Sequence, residues 1–82
     1  MEEYVLVVSI TVKQRNVNAP KVNKVLTSCG EVVLARMGIH YEKCDVNIIT
    51  LVTVGDKKDI QSLVKKLTAI KGVKAAITSL PV

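Results

Sequence analysis

Four strands and two helices in the order βαββαβ, with the helices on one face of an antiparallel sheet, form the α+β domain that the sequence predicts. Three observations lead to it. Hydrophobic residues make up 49% of the chain, yet its only aromatics are Tyr4 and Tyr41, so the core is built from Val, Leu and Ile, a composition that favours sheet. Apolar residues recur with a period of two in the stretches 4–12 and 46–54 and with helical spacing in the stretch 60–70. Polar and glycine-containing segments separate these runs. At 82 residues the chain is long enough for one core only, so residues 1–82 are read as a single domain, marginal alone and stabilised by association.

In the first strand Tyr4, Leu6, Val8, Ile10 and Val12 form one wholly apolar face, and the opposite face is apolar only at Val5 and Val7. Lys13 to Asn18 is polar, and Asn16 or Asn18 can cap a helix whose first turn tolerates Pro20. Val22, Val25, Leu26 and Cys29 are its buried stripe, and Gly30 fits the left-handed position just past its end. The second strand, Glu31 to Ile39, places Val33, Ala35, Met37 and Ile39 on one side and Val32, Leu34, Arg36 and Gly38 on the other. His40 to Asp45 reads as a polar loop. Val46 to Val54 is the third strand, with Val46, Ile48, Val52 and Val54 on one face and Ile49 and Leu51 on the other.

Asp56 is the N-cap candidate for the second helix, with Asp59 adding negative charge near the positive end of the helix dipole. Ile60, Leu63, Val64, Leu67 and Ile70 carry the strongest helical period in the chain. Lys71-Gly72 ends that helix, Val73 to Leu80 is the last strand, and Pro81 closes it. This order is that of the ferredoxin-like split βαβ unit, in which the first and third strands are central. Their surplus apolar residues, Val5, Val7, Ile49 and Leu51, are expected on the side away from the helices, as an oligomer interface.

No apolar run approaches the roughly 20 residues that span a bilayer, and the acidic start Met-Glu-Glu-Tyr is unlike a secretory signal. A cytoplasmic location without membrane contact is expected. Cys29 and Cys44 are too few for a disulfide framework or a four-ligand zinc site and are read as free thiols, Cys29 as a small buried hydrophobe. The net charge is +5, and six lysines fall between Lys57 and Lys74. They lie where the second helix and its exit face water, so the basic charge reads as a solvated face and not as a nucleic-acid footprint.

One histidine cannot furnish a Ser-His-Asp arrangement, and the seven acids form no pair that periodicity would bring into a pocket. The chain reads as a binding module and not as an enzyme. Arg36 is the first candidate for ligand binding or a subunit contact, since an arginine between Leu34 and Gly38 on one strand face must snorkel, pair with a carboxylate or meet an anion. Gly38 leaves room beside it for a ligand or another backbone, and His40 follows two residues on. A metal-binding reading, the alternative from a different class, rests on His40 and Cys44 in one loop; two ligands alone do not make a site, and no cofactor is expected.

Gly30-Glu-Val-Val-Leu-Ala-Arg-Met-Gly-Ile, then Val46-Asn-Ile-Ile-Thr-Leu-Val, then Leu63 to Val73 resemble the iron-only hydrogenase system regulator family over nearly the whole chain. The resemblance implies an ACT-like domain similar to the C-terminal effector domain of nickel-responsive repressors, forming dimers or tetramers in anaerobic bacteria. It also implies a small regulator that answers a small-molecule effector. His40 stands where the family often has proline after the Gly-Ile pair. The turn after the first strand, Lys13-Gln-Arg-Asn-Val-Asn18, lacks the glycines of amino-acid-binding ACT domains, so amino-acid binding does not transfer. Only Met1 to Glu3 precede the first strand, leaving no ribbon-helix-helix segment; direct nucleic-acid binding is not expected, and a partner would supply any DNA contact. Three other proteins of this topology need features that are missing: acylphosphatase a glycine-rich loop around the position of Arg15, copper chaperones a Cys-x-x-Cys loop, and RNA-recognition domains aromatics in the middle of strands.

Overall fold

The computed structural model describes residues 3–80. The elements run β1 (Tyr4–Lys13), α1 (Arg15–Ser28), β2 (Val33–Tyr41), β3 (Val46–Gly55), α2 (Lys57–Thr68) and β4 (Val73–Ser79), with short 3-10 turns at Gly30–Val32 and Glu42–Cys44. The sheet is antiparallel in the order β2-β3-β1-β4, which makes β1 and β3 central and is the ferredoxin-like arrangement expected from the sequence.

Alternation in β1 sends Leu6, Val8, Ile10 and Val12 under the helices, where they meet Val22 and Leu26 of α1 and Ile60, Leu63 and Leu67 of α2. The core is aliphatic throughout. Its one buried hydroxyl, Thr53, donates to the Leu6 carbonyl at 3.0 Å, so burial leaves it satisfied. The start of α2 follows the sequence signal, since Asp56 accepts from the Lys58 N–H at 2.9 Å as a side-chain N-cap. Its end does not, because the helix stops at Thr68, before Ile70 and Lys71, and Gly72 at φ +92° belongs to the turn into β4.

The register settles which face of β3 is inward. Ile10 lies opposite Ile49, Val8 opposite Leu51 and Leu6 opposite Thr53, and cross-strand partners share a face. Ile49 and Leu51 are therefore core residues, 8% and 0% exposed, and not surface residues of the far face as the sequence reading had them. Both faces of β3 are apolar, and its larger group, Val46, Ile48, Val52 and Val54, is the one turned away from the helices. Val5 and Val7 do lie on that far face, opposite Val54 and Val52.

Several local expectations change. Helix α1 starts at Arg15 behind a left-handed Gln14 (φ 52°) without a side-chain cap, so Pro20 sits inside it. Asn18 is no cap; it is 3% exposed and its Nδ2 donates to the carbonyls of Lys13 at 2.7 Å and Lys71 at 2.9 Å, tying the β1–α1 turn to the α2–β4 turn. A Cβ at Gly72 would stand 2.9 Å from that Nδ2, a second reason besides its positive φ for glycine there. Gly30 opens a 3-10 turn and has no positive φ; α1 ends at half-buried Cys29, whose N–H returns to Val25. In β2 a bulge between Val33 and Ala35 puts Val33 toward the core and leaves Leu34 outside at 71% exposure. The strand then runs on to Tyr41, so His40 belongs to it and not to the loop. The reading of Pro81 falls outside the described residues.

Candidate functional site

Beyond the bulge, Ala35, Met37, Ile39 and Tyr41 of β2 share the far face, and Arg36, Gly38 and His40 point toward the helix side. The three residues singled out from the sequence thus stand in one row along the edge strand. They line a cleft of about 320 Å³ between β2 and α1. Helix α1 contributes Arg15, Ala19, Val22 and Asn23, successive positions on one helical face, and β3 contributes Asn47, Ile48 and Ile49. Two features keep the cleft open. β2 is the outer strand, beyond the part of the sheet that α2 covers, and Gly38 presents no side chain to fill the gap.

Arg36 donates through Nη2 to Asn23 Oδ1 at 3.2 Å, an interaction that steadies the guanidinium across the cleft. His40 donates through Nδ1 to Asn47 Oδ1 at 2.9 Å, which fixes the ring against its cross-strand neighbour. Its Nε2 lies 3.5 Å from Asp45 Oδ1, an ion pair that exists only when the ring is protonated. No acidic residue among the described residues lines the cleft. Among the described residues, neither Arg15 nor Arg36 has a carboxylate within ion-pair distance.

Arg15, Asn23 and Asn47 were not among the sequence candidates for this site. Arg15 and Asn23 share a helix face, but only the packing of α1 beside β2 brings that face to Arg36, and Asn47 becomes a neighbour of His40 through strand register alone. Cys44, the other half of the metal reading, is exposed on the turn after β2 and does not line the cleft. Among the described residues no three His, Cys, Asp or Glu side chains come together as a metal site.

The other surface of functional interest is the far side of the sheet. Its rows across β2, β3 and β1 are Ala35-Val52-Val7, Met37-Thr50-Ser9, Ile39-Ile48-Thr11 and Tyr41-Val46-Lys13, with Val54 opposite Val5 beyond the first. Met37 and Ile39 are 68% and 59% exposed. Within the paired strands, Lys13 and Lys74 are the charged side chains on this side, both at the end where β1 finishes and β4 starts.

A family model described as "TM1266-like: Iron-only hydrogenase system regulator, putative" matches residues 4–76. The chain belongs to this family. The match agrees with the resemblance carried by the second and third strands and by the second helix with its exit to Val73. Among solved structures, the uncharacterized protein TM1266 from Thermotoga maritima is 30% identical and superposes with a TM-score of 0.91, covering 96% of this chain and 99% of its own. An unknown protein from Galdieria sulphuraria shares 16% identity at a TM-score of 0.66, over 99% of this chain and 47% of that one. The de novo designed protein Foldit4 shares 19% at 0.58, over 96% and 99%. The last two likenesses concern the fold alone. No curated protein matches the chain. Among the described residues of this iron-only hydrogenase system regulator family member, no helix is long and apolar enough to cross a membrane.

Proposed function

We propose that this chain is a small cytoplasmic regulatory or sensor protein of ACT-like type in the iron-only hydrogenase system, working as a homo-oligomer and catalysing no reaction itself. The observation that carries the proposal is the far face of the sheet. It gathers Val5, Val7, Ala35, Met37, Ile39, Ile48, Val52 and Val54 into one apolar surface, where a solitary domain would be expected to keep polar residues.

A second copy is the occupant this face fits. The molecule carries a net charge of +5, and its arginines and most of its lysines lie on or near the two helices, on β2's helix side, or in the turns. The far face is almost uncharged, so two basic molecules can meet there with little like-charge opposition. Both copies would then use the same patch across a two-fold axis. With extents of 40 × 23 × 16 Å, the broad side of the molecule offers area of the same order as the roughly 800 Å² per partner of a standard interface. The cleft between α1 and β2 lies on the opposite side of the sheet and stays open in such an assembly, which suits it to an effector. A transcriptional role would be exerted through a partner that contacts DNA.

Light scattering across micromolar concentrations tests the proposal. The expected mass is that of a dimer or tetramer, and a monomer of 8.9 kDa throughout the range would refute it.

A further inference from the structure

We infer that the cleft between α1 and β2 binds a small dianion, either a dicarboxylate with one carboxylate on each of Arg15 and Arg36 or a phosphate monoester whose single phosphate both arginines take. This rests on the reading of the cleft as the effector site and names the chemistry it would recognise.

The charge arrangement is the first argument. Arg15 and Arg36 both line one cleft of about 320 Å³, and among the described residues no carboxylate side chain lines it. Arginine remains charged at any physiological pH and offers five donors in a fixed fork. Arg36 uses one of them on Asn23, a neutral acceptor that orients the group without neutralising it. The remaining donors suit the bidentate geometry of a carboxylate or phosphate.

Gly38 is the second and independent argument. It has no positive φ, so the backbone does not require glycine. A Cβ there would meet Ile48 O at 3.6 Å and Ile49 Cγ1 at 3.8 Å, ordinary contacts, so packing does not require glycine either. Glycine inside a strand weakens it. What the residue does provide is an open floor beside Arg36.

The same features select among anions. A free amino acid carries an ammonium group, and among the described lining residues no carboxylate offsets its charge beside the two arginines. The volume sits at the small end of the roughly 300–1,000 Å³ typical of ligand pockets, which favours a compact ligand. Val22 and Ile49 in the lining suit the short carbon skeleton of such a ligand.

The test is an amide NMR titration of the full chain at low ionic strength with succinate, with glycerol phosphate, and with glycine as zwitterionic control. Saturable shifts at Asn23, Gly38 and His40 are expected with at least one of the two dianions and not with glycine. Arg36→Gln and Arg15→Gln, both at exposed positions, should each weaken that binding by about tenfold or more. Gly38→Val should weaken it too while the thermal melt stays at or above that of the parent protein. Undiminished binding in both arginine variants overturns the inference. Shifts at these amides with glycine alone also overturn it but leave the cleft standing as an effector site. No shift there with any of the three overturns the dianion assignment, and the oligomer reading is then judged separately by its mass.

Discussion

Replacing Ile39 by lysine gives the sharpest test of the far face of the sheet, because the substitution touches association and hardly touches the protomer. Ile39 is 59% exposed in the single chain, so most of its side chain has nothing to lose on mutation. Fully burying an isoleucine stabilises by roughly 1.5–3 kcal/mol. The exposed part, covered in an oligomer, is then worth about 0.9–1.8 kcal/mol per copy. A two-fold contact counts it twice, about 2–3.5 kcal/mol, or a dissociation constant raised roughly 20- to 300-fold. An ammonium group on each side of the seam adds desolvation and repulsion, so this range is a lower bound. Sedimentation velocity over a concentration series would read the shift, with circular dichroism and a thermal melt confirming that the fold is kept. An unchanged mass distribution for Ile39→Lys would refute the assignment of this face, and a loss of fold would refute the placement of Ile39 outside the core.

Leu51→Ala should behave in the opposite way, destabilising the protomer by about 2–5 kcal/mol through a core cavity; denaturant unfolding would read it, and a variant as stable as the parent would contradict burial under the helices. Asn18→Ala removes both donors that reach the Lys13 and Lys71 carbonyls and should cost about 1–3 kcal/mol, whereas a change of a few tenths would mean that the two turns hold each other without it. For the thiols, a chromogenic disulfide reagent should label exposed Cys44 well before half-buried Cys29, since access limits reaction; equal rates would contradict the packing of Cys29 against the core.

Much of the fold was legible because short-range physics writes it into the chain. Period-two alternation marked β1 and β3, helical spacing and Asp56 marked α2, and Gly72 marked the turn into β4 though not the helix end at Thr68. Helix α1 was less legible. Its start depends on a left-handed Gln14, which no propensity announces, and Asn18, a natural cap by residue type, is drawn into a buried link to Lys71 far along the chain. The bulge at Leu34 broke the parity of β2 within Val32 to Ala35, a run with no polar residue to mark the outer face.

The candidate site divides along the same line. Arg36 and Gly38 could be grouped from the sequence because residues two apart on a strand share a face whatever surrounds them, whereas His40, read as the start of a loop, joined their row only because β2 runs on to Tyr41. Alternation alone also separated Ile49 and Leu51 from Ile48 and Val52. What it could not decide was which group faces the helices, since β3 is greasy on both sides and the choice is made by pairing with β1, through Ile10 opposite Ile49 and Val8 opposite Leu51. The meeting of Arg15 and Asn23 with Arg36 was likewise left to tertiary structure, because a helix and a strand come together only when the core between them packs. Sequence by itself determined the elements and the residues that share each surface; packing and register determined which surface became core, which became cleft and which stayed bare.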